Sequence, residues 1–131
     1  MFAINFVLPG NPATKKNSQE IVRPKGRPPI IVQNKRYKEF EKACKAFVPK
    51  MDEPIDFPVE VSCTYYRKDN RRCDLTNLLA ATTDILVKYG VLADDNYKII
   101  ASVDGSRVFV DKTMPRTVIR IVEIGGEDAK N

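Results

Sequence analysis

The chain has 131 residues, 43% of them apolar, and a formal net charge of +5 at pH 7. A chain of this length can bury one ordinary hydrophobic core, so we expect a single domain over residues 1–131 and no separate substrate domain. It contains no histidine, which excludes Ser-His and Cys-His mechanisms and removes the commonest general base and zinc ligand.

The first part of the chain predicts two short strands, a basic loop and a helix. Residues 2–8 alternate and are rich in β-formers, which indicates a strand. Residues 14–29 are rich in Lys, Arg, Pro, Asn and Gly without apolar periodicity, and they predict a basic loop or arm. Residues 30–32 predict a second strand, and Asn34 is placed to cap the helix. Apolar residues at helical spacing before Pro49 define its buried side: Tyr37, Phe40, Ala43, Cys44 and Phe47.

The middle of the chain predicts a strand followed by a second helix. Residues 58–67 alternate between apolar and polar residues, as in a half-buried strand. Residues 75–89 have the apolar spacing of a helix, and Gly90 is well placed to end it. The side chains expected to be buried are Leu75, Leu78, Leu79, Thr82, Ile85 and Leu86. Those expected on the opposite side are Asp74, Asn77, Ala81, Asp84 and Lys88.

The last part of the chain predicts three more strands. Residues 97–103 and 107–110 read as a hairpin around Asp104-Gly105, and residues 117–124 read as a final strand before a frayed tail at 125–131. The order is approximately ββαβαβββ. It predicts an α+β fold in which two main helices cover a small mixed sheet.

Basic residues are concentrated in one half of the chain. Residues 1–50 carry 11 Lys and Arg against 3 acidic residues, whereas residues 51–131 carry 11 against 14. Such a gathering of positive charge is typical of proteins that bind a phosphate backbone, although many small basic proteins bind nothing specific.

Cysteine usage and hydropathy predict a cytoplasmic protein. Cys44, Cys63 and Cys73 have no metal-ligand spacing and are odd in number, so we expect reduced, mostly buried thiols. No apolar run approaches the roughly 18 residues that span a bilayer, and the amino terminus lacks the basic segment of a signal peptide. We therefore expect no membrane partner.

Acidic residues stand at both ends of the second predicted helix in an otherwise basic protein. Arg71, Arg72 and Asp74 precede the helix, and Asp94 and Asp95 follow it. Carboxylate oxygens are the ligands that Mg²⁺ prefers, and basic residues attract phosphates. The arrangement is the one expected where a divalent metal meets a polyanion, and it points toward cleavage of nucleic acid.

These residues also have an ordinary structural interpretation. Asp74 stands at a helix N-cap, and Asp94-Asp95-Asn96 favours a turn. Asp84 can form an i, i+4 ion pair with Lys88, and the basic segment can be a solvated surface loop. In that case the acidic helix ends serve only folding and subunit contacts.

The segment from Arg72 to Asn96 resembles the signature of the RusA family of Holliday junction resolvases. It has the Asp-Leu-x-Asn-Leu start, Asp84, a glycine after the helix and an Asp-Asp pair. The segment Pro9-Gly10-Asn11-Pro12, followed by Lys15-Lys16, resembles the family's N-terminal motif. The resemblance implies a small homodimeric, Mg²⁺-dependent endonuclease that recognises four-way DNA junctions and nicks two strands symmetrically. Its implied role is in DNA recombination and repair, and such resolvases are often associated with prophages.

Carried over residue by residue, the resemblance implies catalytic and metal-binding roles for Asp74 and Asp95, and we expect Asp94, the acidic neighbour of Asp95, to share both roles. Thr76 stands where the family has a second catalytic aspartate, and Ala80 stands where it has a functional lysine. Loss of one carboxylate should weaken cation binding. Two functions therefore stay open: a junction endonuclease that uses Mg²⁺ or, as a substitute, Mn²⁺, and an accessory protein that binds junctions without cutting them. Neither needs a small-molecule cofactor.

The length of the helix limits how the acids can combine. Asp74 and Asp84 are about 15 Å apart along a continuous helix, so they cannot share one metal ion. Asp95 leaves the far end, so either the loop returns or a second subunit of a homodimer completes the site. The residues expected to support the site, by supplying a carboxylate, a cation or a hydrogen bond, are Thr76, Asn77, Asp84 and Lys88. The residues expected to contact phosphates are Lys15, Lys16, Arg23, Lys25, Arg27, Arg71 and Arg72.

Overall fold

A computed structural model confirms the α+β fold, with two helices and a mixed five-stranded sheet. It describes residues 1–15, 19–33 and 35–125. Asn34, the predicted helix cap, and residues 126–131 of the predicted frayed tail lie outside this description. The elements in chain order are β1 (Ala3–Pro9), β2 (Gln19–Val22), β3 (Ile30–Gln33), α1 (Lys35–Cys44), β4 (Val59–Arg67), α2 (Leu75–Lys88), β5 (Ile100–Ser102), β6 (Arg107–Val110) and β7 (Arg116–Glu123).

Strand β4 is the centre of the sheet. It pairs antiparallel with β7, which in turn pairs antiparallel with β1. On its other side β4 pairs parallel with β5 and β6. Because side chains alternate along a strand, one face of β4 is fully buried, as its sequence predicts. The residues on that face are Val59, Val61, Cys63 and Tyr65.

The basic segment predicted as a loop at residues 14–29 contains a strand. Its Gln19–Val22 portion forms β2, which pairs antiparallel with β3 in a separate two-stranded sheet. The predicted order ββαβαβββ is therefore one strand short. The sequence Gln-Glu-Ile-Val carries no strand periodicity of its own, and its extended conformation comes from pairing with β3.

The predicted hairpin at Asp104-Gly105 is wrong. Strands β5 and β6 run in the same direction and pair successively along one edge of β4. Gly105 has φ +84°, and Ser62 Oγ donates a hydrogen bond to the carbonyl oxygen of Asp104 at 2.6 Å. The turn is thus held against β4. It separates two strands that pair with the same side of β4, and the chain runs in the same direction before and after it.

Helix α2 packs on the sheet through its buried face and ends where predicted. Tyr65 of β4 and Thr82 of α2 share a buried hydrogen bond of 2.7 Å. Gly90 ends the helix with φ +80°, a left-handed conformation that favours glycine. Ala81, predicted on the opposite side, is only 3% exposed. Residues of several turns line the buried face: Leu78, Ala81, Thr82, Ile85 and Leu86.

Helix α1 is shorter than the sequence predicts. It ends at Cys44, and Phe47, predicted to be buried, is 51% exposed. The amides of Phe47 and Val48 both donate to the carbonyl oxygen of Cys44, which turns the chain. Val48 is buried in consequence. Within the described ranges, neither helix is long and apolar enough to cross a membrane.

The three cysteines are free thiols, as predicted, and two of them are fully buried. Burial raises the pKa of Cys44 to about 12 and the pKa of Cys63 to about 11. Both thiols therefore stay protonated in the folded chain at a pH where an unfolded chain would begin to release their protons.

Replacement of Tyr65 by Phe tests the link between α2 and β4. Because Thr82 Oγ1 donates to the carbonyl oxygen of Leu78, Tyr65 must be the donor to Thr82. The variant leaves a buried hydroxyl without that donor and should lower the free energy of unfolding by about 1–2 kcal/mol. Urea denaturation measures the change. Tyr97→Phe is the control, since Tyr97 is 77% exposed, and equal effects of the two changes would contradict the prediction.

The free energy of unfolding should fall as pH rises above about 9, because the thiol pKa values are higher in the folded chain than in the unfolded chain. The stability that the two protonated thiols contribute is complete below the thiol pKa of the unfolded chain. It is lost progressively as pH rises toward the thiol pKa values of the folded chain. Urea titrations at pH 7, 8, 9 and 10 measure the slope. A Cys63→Ala variant should show a shallower decline, and an unchanged slope would argue against the role of this thiol.

Candidate functional site

Asp74 occupies the N-cap position of α2, but its carboxylate does not cap the helix. Its carbonyl oxygen accepts hydrogen bonds from the amides of Asn77 and Leu78 at 3.1 and 3.2 Å. The exposed carboxylate bonds no helix amide and accepts only a side-chain hydrogen bond from Asn77, at 3.3 Å. The N-cap role thus accounts for the backbone carbonyl of Asp74. It does not account for the carboxylate, which is available to bind a ligand.

The neighbouring acids Asp94 and Asp95 differ in what they contact. Asp94 accepts hydrogen bonds from the amide of Asp95 at 2.7 Å and from the side chain of Asn96 at 3.2 Å. It therefore holds the turn, as the structural interpretation predicts. Asp95 is exposed, and its carboxylate has no hydrogen bond or ion pair among the residues that the structure describes.

Asp95 borders an open cleft of about 480 Å³ beside the C-terminal half of α2. The predicted i, i+4 pair between Asp84 and Lys88 is absent. Asp84 instead pairs with Lys15 at 3.0 Å, and Lys88 pairs with Glu41 of α1. Both pairs join elements that are distant in sequence. The residues that line the cleft are Lys15, Glu41, Asp84, Val87, Lys88 and Asp95.

Aromatic side chains hold the lysines of the cleft in place. Lys15 Nζ lies 5.8 Å from the ring centre of Tyr37, and Lys88 Nζ lies 5.7 Å from that of Tyr89. Burial, and then the nearby carboxylate of Glu41, raise the pKa of Tyr37 well above its ordinary value. Exposed ion pairs of this kind contribute only about 0–1 kcal/mol, so their main effect is to position charge around Asp95.

The two available carboxylates lie at opposite ends of α2. Asp95 shares its cleft with Asp84 and Lys88, and Asp84 stands about 15 Å along the helix from Asp74. The loop after α2 is anchored at that end, because the amide of Ala93 donates to the carbonyl oxygen of Ile55 at 2.9 Å. The start of the loop is therefore held near Ile55, and Asp95 lies beside Lys88 in the cleft.

The described part of one chain does not assemble the three-carboxylate metal site that the family resemblance implies. It contains no group of three or more His, Cys, Asp or Glu side chains placed to hold a metal ion. Thr76 is exposed on the first turn of α2, and its hydroxyl brings no negative charge. The metal-binding roles of Asp74, Asp94 and Asp95 stay predictions.

The predicted phosphate-binding residues occupy three places. Lys15 lies in the cleft and pairs with Asp84, and Lys16 lies outside the described residues. The connection between β2 and β3 exposes Arg23, Lys25 and Arg27. Arg71 and Arg72 are exposed immediately before α2, close in sequence to Asp74.

The structure adds Arg36 and Arg67, which sequence reasoning missed. They line a small polar pocket of about 60 Å³ together with Asn11 of the N-terminal motif. Arg67 donates to the carbonyl oxygen of Arg71, while its buried Nε has no acceptor among the described residues. A guanidinium with an unused donor at a polar pocket is suited to an anion. The Pro9-Gly10-Asn11-Pro12 motif was the signal that could have found this pocket, because Asn11 lies in both.

Comparison with known families places the chain in one of them. The family model described as "Endodeoxyribonuclease RusA" matches residues 9–122, from the end of β1 into β7. The match includes the whole of α2 and the acidic residues on both sides of it. No curated protein matches the chain.

Asp74→Asn should lower the free energy of unfolding by less than about 1 kcal/mol. The lost carboxylate caps no backbone amide, and it acts through the helix dipole and one exposed hydrogen bond from Asn77. Asp94→Ala should cost more, about 1–2 kcal/mol, since it removes two hydrogen bonds from its turn. Urea denaturation of both variants measures the difference. A larger loss for Asp74→Asn would identify Asp74 as a structural cap.

Proposed function

Because the chain belongs to the RusA endodeoxyribonuclease family, we propose that it binds four-way DNA junctions and resolves them by paired symmetric nicks in DNA recombination and repair. The observation that carries the proposal is the carboxylate of Asp74. It is exposed, caps no helix amide and lies three residues after Arg71 in a segment that the family match covers. A side chain that folding does not use is available for chemistry.

The basic residues around the start of α2 are suited to position a DNA strand. Arg36 and Arg67 offer donors at a polar pocket that Cys73, the residue before Asp74, also lines. Arg71 and Arg72 add exposed positive charge beside it. Contacts of this type hold the phosphate backbone without reading the base sequence. They would bring a phosphodiester to the carboxylate of Asp74.

A homodimer would bring the two separated carboxylates together. In this arrangement Asp95 of one subunit faces Asp74 of its partner, and a two-fold axis generates two such sites. The support is the distance that α2 imposes between the two acids in one chain and the absence of a partner for Asp95 among the described residues. Two equivalent sites match two symmetric cuts.

Carboxylate oxygens are hard donors of the kind that Mg²⁺ and Mn²⁺ prefer, but the described residues of one chain do not fit a three-carboxylate site. A divalent ion would supply positive charge at the scissile phosphate and a more acidic bound water. The chain's own contributions are the oxygens of Asp74 and Asp95, the hydroxyl of Thr76 and the guanidinium groups that hold the strand.

A junction-binding accessory protein is the second candidate. Two exposed positions on the first turns of α2 favour it, since Thr76 and Ala80 replace a carboxylate and a lysine of the family pattern. Both changes reduce charge at the site that should cut. Neither change touches the basic residues that would hold DNA.

Cleavage of a synthetic junction separates the two functions. The purified protein is incubated with a labelled four-way junction or a matched linear duplex, in Mg²⁺, Mn²⁺ or EDTA. We expect paired nicks in the junction alone, and EDTA should abolish them. Asp74→Asn should slow cleavage by more than about 100-fold. Loss of a residue that only orients a metal ligand costs at most about that factor, so a larger loss is expected where the residue itself takes part. Asp104→Asn, in the exposed turn between β5 and β6, is the control and should cut normally. Tight binding without cuts in either metal would identify the accessory protein.

Mixing two inactive variants tests whether subunits share a site. If Asp74 and Asp95 come from different subunits, a mixed dimer of Asp74→Asn and Asp95→Asn chains keeps one intact site and should nick one strand. If each chain holds its own site, the mixture stays inactive. Light scattering at micromolar concentration supplies the second measurement, and a clean monomer that cuts junctions would contradict the dimer.

A further inference from the structure

Three side chains form a continuous stack on the face of the sheet opposite the helices. The guanidinium of Arg116 in β7 lies 3.8 Å from the ring centre of Tyr66 in β4. Tyr66 in turn stacks on Phe109 in β6, with ring centres 5.7 Å apart and planes at 25°. Phe109 and Arg116 are the register partners of Tyr66 on its two sides. The stack therefore crosses three strands and runs toward the edge of the sheet.

The inner end of the stack is fixed by hydrogen bonds. Arg116 Nη1 donates to Asp111 Oδ2 and to the carbonyl oxygen of Met114, both at 2.9 Å. Hydrogen bonds from Thr113 and then from Arg116 lower the pKa of Asp111 to about 2, so this carboxylate stays ionised. Hydrogen bonds within the protein thus hold the guanidinium over the ring of Tyr66.

The outer end of the stack is open. Strand β6 lies at the edge of the sheet, and among the described strands it pairs with β4 alone. Phe109 is 47% exposed. Since its ring stacks on Tyr66 from the edge side, its other face is directed away from the sheet. A planar ligand can extend the stack there.

The charge around the stack favours a polyanion. Strand alternation places Arg107 and Arg120 on the same face as Phe109 and Arg116, and both are exposed. Lys112 is exposed in the loop after β6. Glu60, an acid on this face, is half-buried and accepts a hydrogen bond from Ser102 at 3.0 Å. Aromatic rings among arginines suit a nucleic acid strand, whose bases stack while its phosphates meet the cations.

We infer that the stack of Arg116, Tyr66 and Phe109 is a binding platform for an unpaired nucleobase, with Arg107 and Arg120 at the adjoining phosphates. Bases inside a duplex are covered by their neighbours, so the platform selects single-stranded or unpaired DNA. The inference rests on the proposed function, because strand exchange in a junction is where such a protein meets unstacked bases. A second copy of the same face would bring like charges together, which disfavours self-association there.

Binding of two oligonucleotides by fluorescence anisotropy tests the platform. One is a labelled oligo(dT), and the other is an abasic chain of the same length that keeps its phosphates and lacks bases. We expect Phe109→Ala to weaken oligo(dT) binding about tenfold, in the range for loss of one base–aromatic stack, and to leave the abasic chain unaffected. Phe109→Trp should retain binding. Val110→Ala is the matched control on the same strand, since Val110 is 49% exposed and points to the other face.

Three results would overturn the inference. The first is equal affinity of the parent protein for both oligonucleotides, or no binding of oligo(dT) at low salt. The second is equal loss in Phe109→Ala and Val110→Ala. The third is a change of oligomeric state in Phe109→Ala by analytical ultracentrifugation, which would make this face a contact between copies. Neither oligonucleotide measures cleavage, so the outcome is independent of whether the protein cuts junctions.

Discussion

The packing of α2 against β4 is the constraint on which the rest of the structure depends. Buried side chains from successive turns of the helix face the sheet, and the hydrogen bond between Tyr65 and Thr82 joins the two elements directly. A helix of 14 residues so fixed is a rigid rod of about 21 Å. Because the loop after it is anchored at Ile55 and Asp95 lies in the cleft with Lys88, Asp95 stays at the end of the rod opposite Asp74. Under the proposed function, a second subunit would then have to complete the site.

Ion pairs between distant elements decide which acids are available. The lysines of the cleft pair with Asp84 and Glu41, and the turn uses Asp94. Folding thus occupies three of the acidic groups near the C-terminal end of α2. Asp95 is left at that end and Asp74 at the other, and these are the two positions at which the family pattern implies catalysis.

Successive side chains of β4 point to opposite faces of the sheet, and the two faces have different roles. The buried face carries the core and supports α2, while the opposite face carries Tyr66 between Arg116 and Phe109. Neighbouring residues, Tyr65 and Tyr66, therefore belong to different surfaces. One strand can position the helix of the proposed cleavage site and also present a stack to solvent, because successive side chains point in opposite directions.

The sequence alone determined the elements whose signals are local. Strict alternation predicted β4, helical spacing followed by Gly90 predicted α2 and its end, and the spacing of Asp74, Asp84 and Asp94-Asp95 indicated the family. Strand β2, the path at Asp104-Gly105, the partner of Lys88 and the pocket of Arg67 were decided by tertiary structure. Each depends on contacts between residues far apart in the chain, such as Lys88 with Glu41. Periodicity and spacing report the local conformational preference of a segment, so they cannot predict which distant residues it will contact.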